Sequence, residues 1–265
     1  MIKTERFDGR LDKKLKLSFM TFVCPEWKIE KIVRFAKEAG YDGVEIRVDV
    51  GHKHGISSKS PLKERKYVKE LFDREGVEVS SIATSVQFGF RDPERRKENI
   101  EAAKANIKLA SDLGAKIVRI FAGGGVPKLT DEVADYIAKA FTEVGDYALE
   151  YGVCPVLETL HDIVKSAKDA MKVINRVETS NFGILWNHSD IDQESFDLVG
   201  KYIKHFHIHD EVLDPKNKNL LHLAKVMKTI NFNGYASLEI IKGYNLPEDL
   251  LIKTAKRLKD YIVQA

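Results

Sequence analysis

The sequence predicts a single (β/α)8 TIM barrel, on three observations. Apolar runs of strand length alternate with amphipathic helical stretches, eight times in succession, from about residue 15 to residue 262. No long linker or low-complexity segment separates the units. The length of 265 residues suits one barrel, since such barrels commonly occupy roughly 250 residues. A doubly wound open sheet is the fold alternative, but no G-x-G-x-x-G turn follows the first strand. The expected domain spans 1–265, with 1–14 as a polar extension.

The elements follow in order. LKLSFMTFV (15–23) is a buried strand, and WKIEKIVRFAKEAG is a helix closing on Gly40, where a glycine accepts the left-handed turn that ends helices. DGVEIRVDV (42–50) is the second strand; a His- and Ser-rich loop leads to the helix LKERKYVKELFDREG. VEVSSIATSV (77–86) precedes a long helix from Pro93 to Gly114. AKIVRIFAGG (115–124) precedes a helix from about Asp131 to Gly152. VCPVLETL (153–160) precedes VKSAKDAMKVINRV, and FGILW (182–186) a shorter helix near 192–200. KYIKHFHIH (201–209) precedes HLAKVMKTI, and YASLEII (235–241) the last helix, 248–262.

Composition narrows the class. A net charge of +3 arises from 43 basic and 40 acidic residues, a mixed surface without a basic track, so nucleic acid is not an expected partner. Cys24 and Cys154 are far apart, which suits a reducing compartment and gives no zinc spacing. MIKTERFDGRLDKKLK lacks the apolar segment of a signal peptide. No apolar run reaches the roughly 18–20 residues that span a bilayer. A cytoplasmic protein without membrane attachment is expected.

Barrels of this kind carry their chemistry at the C-terminal ends of the strands. His161, His188, His205, His207 and His209 all fall near the ends of the fifth, sixth and seventh strands. Strand side chains alternate between faces. Phe206 and Ile208 therefore oppose His205, His207 and His209; Leu238 and Ile240 oppose Glu239; Val44, Ile46 and Val48 oppose Glu45 and Arg47; Val118 and Ile120 oppose Arg119. The aliphatic faces should pack on helices and the charged faces point inward. The bland alternative is an internal ion pair, Glu45 with Arg47 or with Arg119. Yet several strands agree, and charge inside a barrel is costly unless paired or bound to something.

The inward set holds two carboxylates, Glu158 and Glu239, an imidazole from the seventh strand and the polar end of the sixth. Carboxylates with imidazole suit one divalent ion: Mn²⁺, Co²⁺, Mg²⁺ or Zn²⁺. Two carboxylates facing across a cavity suit proton abstraction next to a carbonyl, through an enediolate. Proton return to the opposite face is epimerisation; return to the neighbouring carbon is isomerisation.

At these residues the sequence resembles the xylose isomerase-like superfamily of TIM barrels, in its sugar (phosphate) isomerase/epimerase branch. The landmarks are DGVEIR, AKIVRIFAGG, VLET, GILW with a polar tetrapeptide, KHFHIHD and SLEI, spread over nearly the whole chain after residue 15. The resemblance implies Glu158 as a metal-binding catalytic glutamate and His207 as the metal-binding second histidine of H-x-H-x-x-D. It implies Glu239 as a metal ligand and second base. The sixth strand departs from the family's W-D-x-x-H, in which the aspartate binds metal and the histidine substrate. Asn187 and Asp190 stand at those positions, with His188 between. Asn187 still offers its amide oxygen, with one ligand charge fewer and weaker metal binding expected. The alternatives are His188 or Asp190 as ligand, or a site working with little metal.

Ketose 3-epimerases also place an arginine a few residues beyond the seventh-strand histidine; here DEVLDPKNKN carries lysines only. Arg47 and Arg119 would suit a carboxylate-bearing substrate, or else one of them neutralises Glu45. Glu45, Arg47, Arg119, His161, His188, Asp190 and His209 are the expected substrate-binding residues. His52, in the HKHG loop, lines the mouth or is plain surface. Gly123–Gly125 is a phosphate nest or a tight turn. The resemblance implies a divalent-metal-assisted epimerase of a keto sugar or keto-sugar acid (keto-hexonate type), assembled as a homodimer or homotetramer. Rivals on the same site are an aldose–ketose or hydroxypyruvate-type isomerase and an inosose-type dehydratase. Rivals of another class are a non-catalytic sugar-binding barrel and an apurinic endonuclease.

Overall fold

The computed structural model describes residues 15–187, 192–214, 216, 219–240 and 245–264. Eight parallel strands close into a barrel in sequence order: β1 (Lys16–Met20), β2 (Gly43–Arg47), β3 (Glu78–Gln87), β4 (Ile117–Phe121), β5 (Cys154–Thr159), β6 (Gly183–Asn187), β7 (Ile203–Ile208) and β8 (Tyr235–Leu238). Around it run α1 (Ile29–Ala39), α2 (Leu62–Glu75), α3 (Pro93–Leu113), α4 (Asp131–Leu149), α5 (Ala167–Ile174), α6 (Gln193–Val199), α7 (Asn219–Thr229) and α8 (Glu248–Gln264). The TIM barrel expected from the alternation is the observed fold. The polar extension 1–14 lies outside the described residues.

Helix ends follow their capping chemistry. The Asp92 carboxylate accepts from the Glu94 N–H at 2.9 Å, with Pro93 just inside α3. Gly40 closes α1 at φ 79°, a left-handed conformation that costs a glycine little. The fifth helix is shorter than the expected 164–177, because the Ser166 hydroxyl accepts from the Asp169 N–H at 3.1 Å and starts it there. Strand ends are trimmed too. Thr21–Val23 and Gly200–Tyr202 coil into 3-10 turns, so the first strand stops at Met20 and the seventh begins at Ile203.

Parity holds. Val44, Ile46, Val118, Ile120, Phe206 and Ile208 join one apolar cluster with Ile32, Val33 and Ala36 of α1 and Ile107 and Ala110 of α3. The opposite face supplies a polar interior, with Ser18, Glu45, Ser81, Arg119, Glu158, His205, His207, Ser237 and Glu239 all buried. Three register shifts interrupt the ladders, between Val44 and Glu45 against β3, between Ala83 and Gln87 against β4, and between Ile184 and Leu185 against β7. Among the described residues, no helix is long and apolar enough to cross a membrane. Cys24 and Cys154 are both free thiols.

Candidate active site

The ladder sets the site. Asn187 pairs with His207 across β6–β7, and His207 with Ser237 across β7–β8. β8 ends at Leu238, three residues short of the expected strand, yet the Glu239 N–H still donates to the Ile208 carbonyl at 2.8 Å. That bond carries the Glu239 side chain to the level of His207.

Four side chains converge there. His207 Nδ1 lies 2.9 Å from Glu239 Oε2 and 3.6 Å from Glu158 Oε1. Asn187 Nδ2 donates to Glu158 Oε1 at 3.2 Å and to the Thr159 carbonyl at 2.9 Å. His209 Nε2, on the more open side, lies 3.1 Å from both Asn187 Oδ1 and Glu239 Oε2. Glu158, Asn187, His207 and Glu239, the four residues expected to share an ion, thus sit together, and His209 adjoins them.

A lower layer supports this one. Glu45 is fully buried, with Oε2 3.0 Å from His205 Nε2 and both oxygens 3.2 Å from His207 Nε2. Sequence reasoning offered an arginine to neutralise Glu45; the structure gives it two imidazoles instead. Arg119 turns the other way, because β4 adjoins β5: its Nε lies 3.2 Å from Glu158 Oε2, and Nη1 donates to the Thr84 carbonyl. Arg47 donates from Nη1 to the Val48 and Ala83 carbonyls and from Nη2 to the Ser85 hydroxyl, while its Nε is buried without a hydrogen bond.

The remaining expectations scatter. His161 is exposed, its ring 5.0 Å from that of Phe121. His188 and Asp190 lie outside the described residues. His205 stands in mid-strand, a layer deeper than the strand end where sequence reasoning put it. His52 packs edge-on to Phe22, 5.7 Å between ring centres, and the Arg47 guanidinium lies over that same Phe22 ring. Phe121 was missed. It carries the Arg119 guanidinium 3.9 Å over its ring on one side and His161 on another. Parity from Arg119, two residues back on the same face, is the signal that finds it.

Electrostatics keeps the carboxylates charged. Burial pushes the Glu158 carboxyl up, but Arg119 and then His207 hold it below the usual range. Burial likewise opposes Glu239, which His207 and then His209 hold far down. For Glu45 the two imidazoles outweigh burial. His207 is raised well above its ordinary value by Glu239 and Glu45, against the opposing effect of burial.

The donor set fits a divalent ion. His207 Nδ1 and Glu158 Oε2 are buried without a hydrogen bond, although Glu239 Oε2 stands 2.9 Å from the nitrogen and Arg119 Nε 3.2 Å from the oxygen. Nitrogen and oxygen donors crowded in this way call for positive charge between them. Ligand atoms of His207, His209 and Glu239 also lie within 4.8 Å of one another, within reach of a common ion.

A sequence profile described as "Xylose isomerase-like TIM barrel" matches residues 33–261. A fructoselysine 3-epimerase of Shigella flexneri is 22% identical over 249 residues, 84% of this chain and 90% of that protein. Among solved structures, the apo form of a 3-keto-D-glucoside 4-epimerase from E. coli superposes with a TM-score of 0.78 at 18% identity, covering 93% of this chain and all of that one. The zinc-bound IolI protein superposes with a TM-score of 0.75 at 22% identity, covering 94% and 99%. At these identities the structural likeness is one of fold.

Proposed function

The chain belongs to the xylose isomerase-like TIM barrel family, and from that premise we propose that it is an enzyme inverting the carbon beside the carbonyl of a keto sugar or keto-sugar acid. The observation that carries this reading is the convergence of Glu158 and Glu239, from β5 and β8, on the single imidazole of His207. Each carboxylate is held ionised by a different set of partners, Arg119 for Glu158 and the His207–His209 pair for Glu239. Two charged bases reaching one point from different strands are what removal of a proton from one face and its return to the other require. The names of two relatives, a fructoselysine 3-epimerase and a 3-keto-D-glucoside 4-epimerase, support the reaction class.

Glu158, His207 and Glu239 would hold one divalent ion, with the Asn187 amide oxygen as fourth donor. When bound, the ion would polarise the substrate carbonyl and make the adjacent carbon acidic. One glutamate takes the proton and the other returns it, leaving the configuration inverted. His209, beside Glu239 and partly open, is placed to donate to a sugar hydroxyl. His161, exposed beside the Phe121 ring, would line the mouth. Arg119 is committed to Glu158, so Arg47, with its unpartnered Nε, is the arginine left for an acidic substrate group.

Incubation with Mn²⁺ in D₂O and a panel of ketoses, keto-hexonates and their phosphates tests this. Deuterium should enter a carbon beside the carbonyl. The Glu158→Gln and Glu239→Gln variants should each lose roughly 10²–10⁴-fold of that exchange. No exchange on any of the panel by the Mn²⁺-loaded protein, or exchange unchanged in both variants, overturns the assignment.

A further inference from the structure

We propose that Glu45 is a positioning residue that fixes His207 as the tautomer protonated on Nε2, and so makes Nδ1 the nitrogen that faces the ion. This rests on the metal reading above and adds to it a role for a fully buried residue. Glu45 lies across the barrel from β7 and is completely buried beneath the His207 ring. His207 Nε2 stands 3.2 Å from each of its two oxygens, the symmetric approach of one N–H to a forked acceptor. An ionised carboxylate has no hydrogen to give, and a neutral imidazole has a single N–H. With that hydrogen on Nε2, the lone pair is on Nδ1, on the ring edge turned to Glu158 and Glu239. A ligating histidine whose other nitrogen donates to a carboxylate has both its tautomer and its ring angle set.

The surroundings are arranged to the same end. His205 Nε2, 3.0 Å from Glu45 Oε2, holds the carboxylate from the other side. Its own Nδ1 is buried without a hydrogen bond, a cost that makes sense if the clamp on Glu45 matters more. Two of the three ladder irregularities touch this contact. The β2–β3 register shifts between Val44 and Glu45, and the β6–β7 register shifts just before Leu185, the residue paired with His205. Bulges near active sites re-aim side chains. A buried carboxylate is a weak device for stability alone, since well-packed apolar residues serve as well or better.

The test uses the full chain with isotope-labelled histidine, loaded with an NMR-active cadmium isotope as diamagnetic probe. Spin coupling from cadmium should appear at Nδ1 of His207, with Nε2 keeping its proton. In Glu45→Gln, whose amide accepts or donates equally well, part of the protein should carry its proton on Nδ1 and lose the cadmium coupling there. Affinity for Cd²⁺ and Mn²⁺ by titration calorimetry should fall roughly 10–100-fold. Coupling at Nε2 in the parent overturns the proposal, and this arm decides even if Glu45→Gln does not fold. A folded Glu45→Gln with lower affinity but the parental coupling pattern leaves Glu45 only its charge, and overturns the tautomer role. A parent that binds no Cd²⁺ overturns the metal reading itself and this proposal with it.

Discussion

Replacing Asn187 with aspartate separates the two states of the site most cleanly. The Asn187 amide nitrogen donates to Glu158 Oε1 at 3.2 Å and to the Thr159 carbonyl at 2.9 Å. Aspartate puts an oxygen there, facing two acceptors. At that separation two unit charges repel by about 5 kcal/mol at an effective dielectric constant of about 20. The chain escapes part of this by protonating the new carboxyl. Raising its pKa from about 3.9 to about 7 costs about 4 kcal/mol at neutral pH, which caps the penalty. With about 3 kcal/mol as the working figure, metal-free Asn187→Asp should unfold roughly 6–12 °C below the parent. A divalent ion between the carboxylates removes the repulsion, and whatever it relieves appears as affinity. About 3 kcal/mol is about two decades in Kd. Calorimetric melting after chelation and titration with Mn²⁺ measure the two halves. A variant as stable as the parent without metal refutes the hydrogen bonds given to Asn187. One that binds Mn²⁺ no more tightly removes Asn187 from the ion's surroundings.

Further perturbations probe the same network and one element outside it. Arg119→Met strips the buried Glu158 of its cation and should cost roughly 3–5 kcal/mol in urea unfolding; a loss below about 1 kcal/mol refutes the pairing. His207 is raised well above its ordinary value by Glu239 and Glu45, against burial, so an ion taking Nδ1 displaces a proton. Calorimetry in buffers of different ionisation heat should show about one proton released per Mn²⁺, and affinity should fall as pH falls; no release refutes the pairing of His207 with both carboxylates. His54 accepts the Ile56 N–H, and burial, then His52, lowers its pKa to about 4. Unfolded histidine titrates near 6.5. Between about pH 6.5 and 4 the unfolded chain thus binds a proton the folded chain refuses, and stability drops as pH falls, by at most about 3 kcal/mol. His54→Gln should flatten that part of the stability profile, and superimposable profiles refute it.

Much of this was legible because it depends on local periods. Alternation of apolar strands and amphipathic helices announced the barrel. The period of two put Glu45, Arg119, His205, His207 and Glu239 on the inward face. Asp92–Pro93 and Gly40 marked helix ends through local capping chemistry. Depth along the barrel axis was not legible. Parity tells which face a side chain takes and nothing of its height, which depends on register with neighbouring strands. Two of the shifts, at Glu45 and before Leu185, fall in the strand that carries Glu45 and in the strand that pairs with His205. For the same reason the imidazole partners of Glu45 were not legible, and an arginine partner was one of two alternatives. Arg47 is two residues away on the same strand, but successive inward residues point past one another, and its guanidinium turns to the Val48 and Ala83 carbonyls. Strand ends were overrun where an apolar run continued into a 3-10 turn, as at Thr21–Val23.

The interior charges show why this polar set sits where a barrel would otherwise pack aliphatic layers. Glu45, Glu158 and Glu239 are all held ionised within reach of one imidazole. Facing them are Arg119, bound to one glutamate, and Arg47, turned to backbone carbonyls. Among the described residues, three carboxylates thus face two guanidiniums, and a proton on His207 offsets the difference. A divalent ion that takes the place of that proton brings in one more positive charge, and with a carboxylate at position 187 the set would be neutral again. On the proposed function, asparagine there would leave one positive charge over, to be met by a substrate carbonyl oxygen that gains negative charge on the way to an enediolate. The residue that weakens the grip on the ion would thereby strengthen the field acting on the substrate.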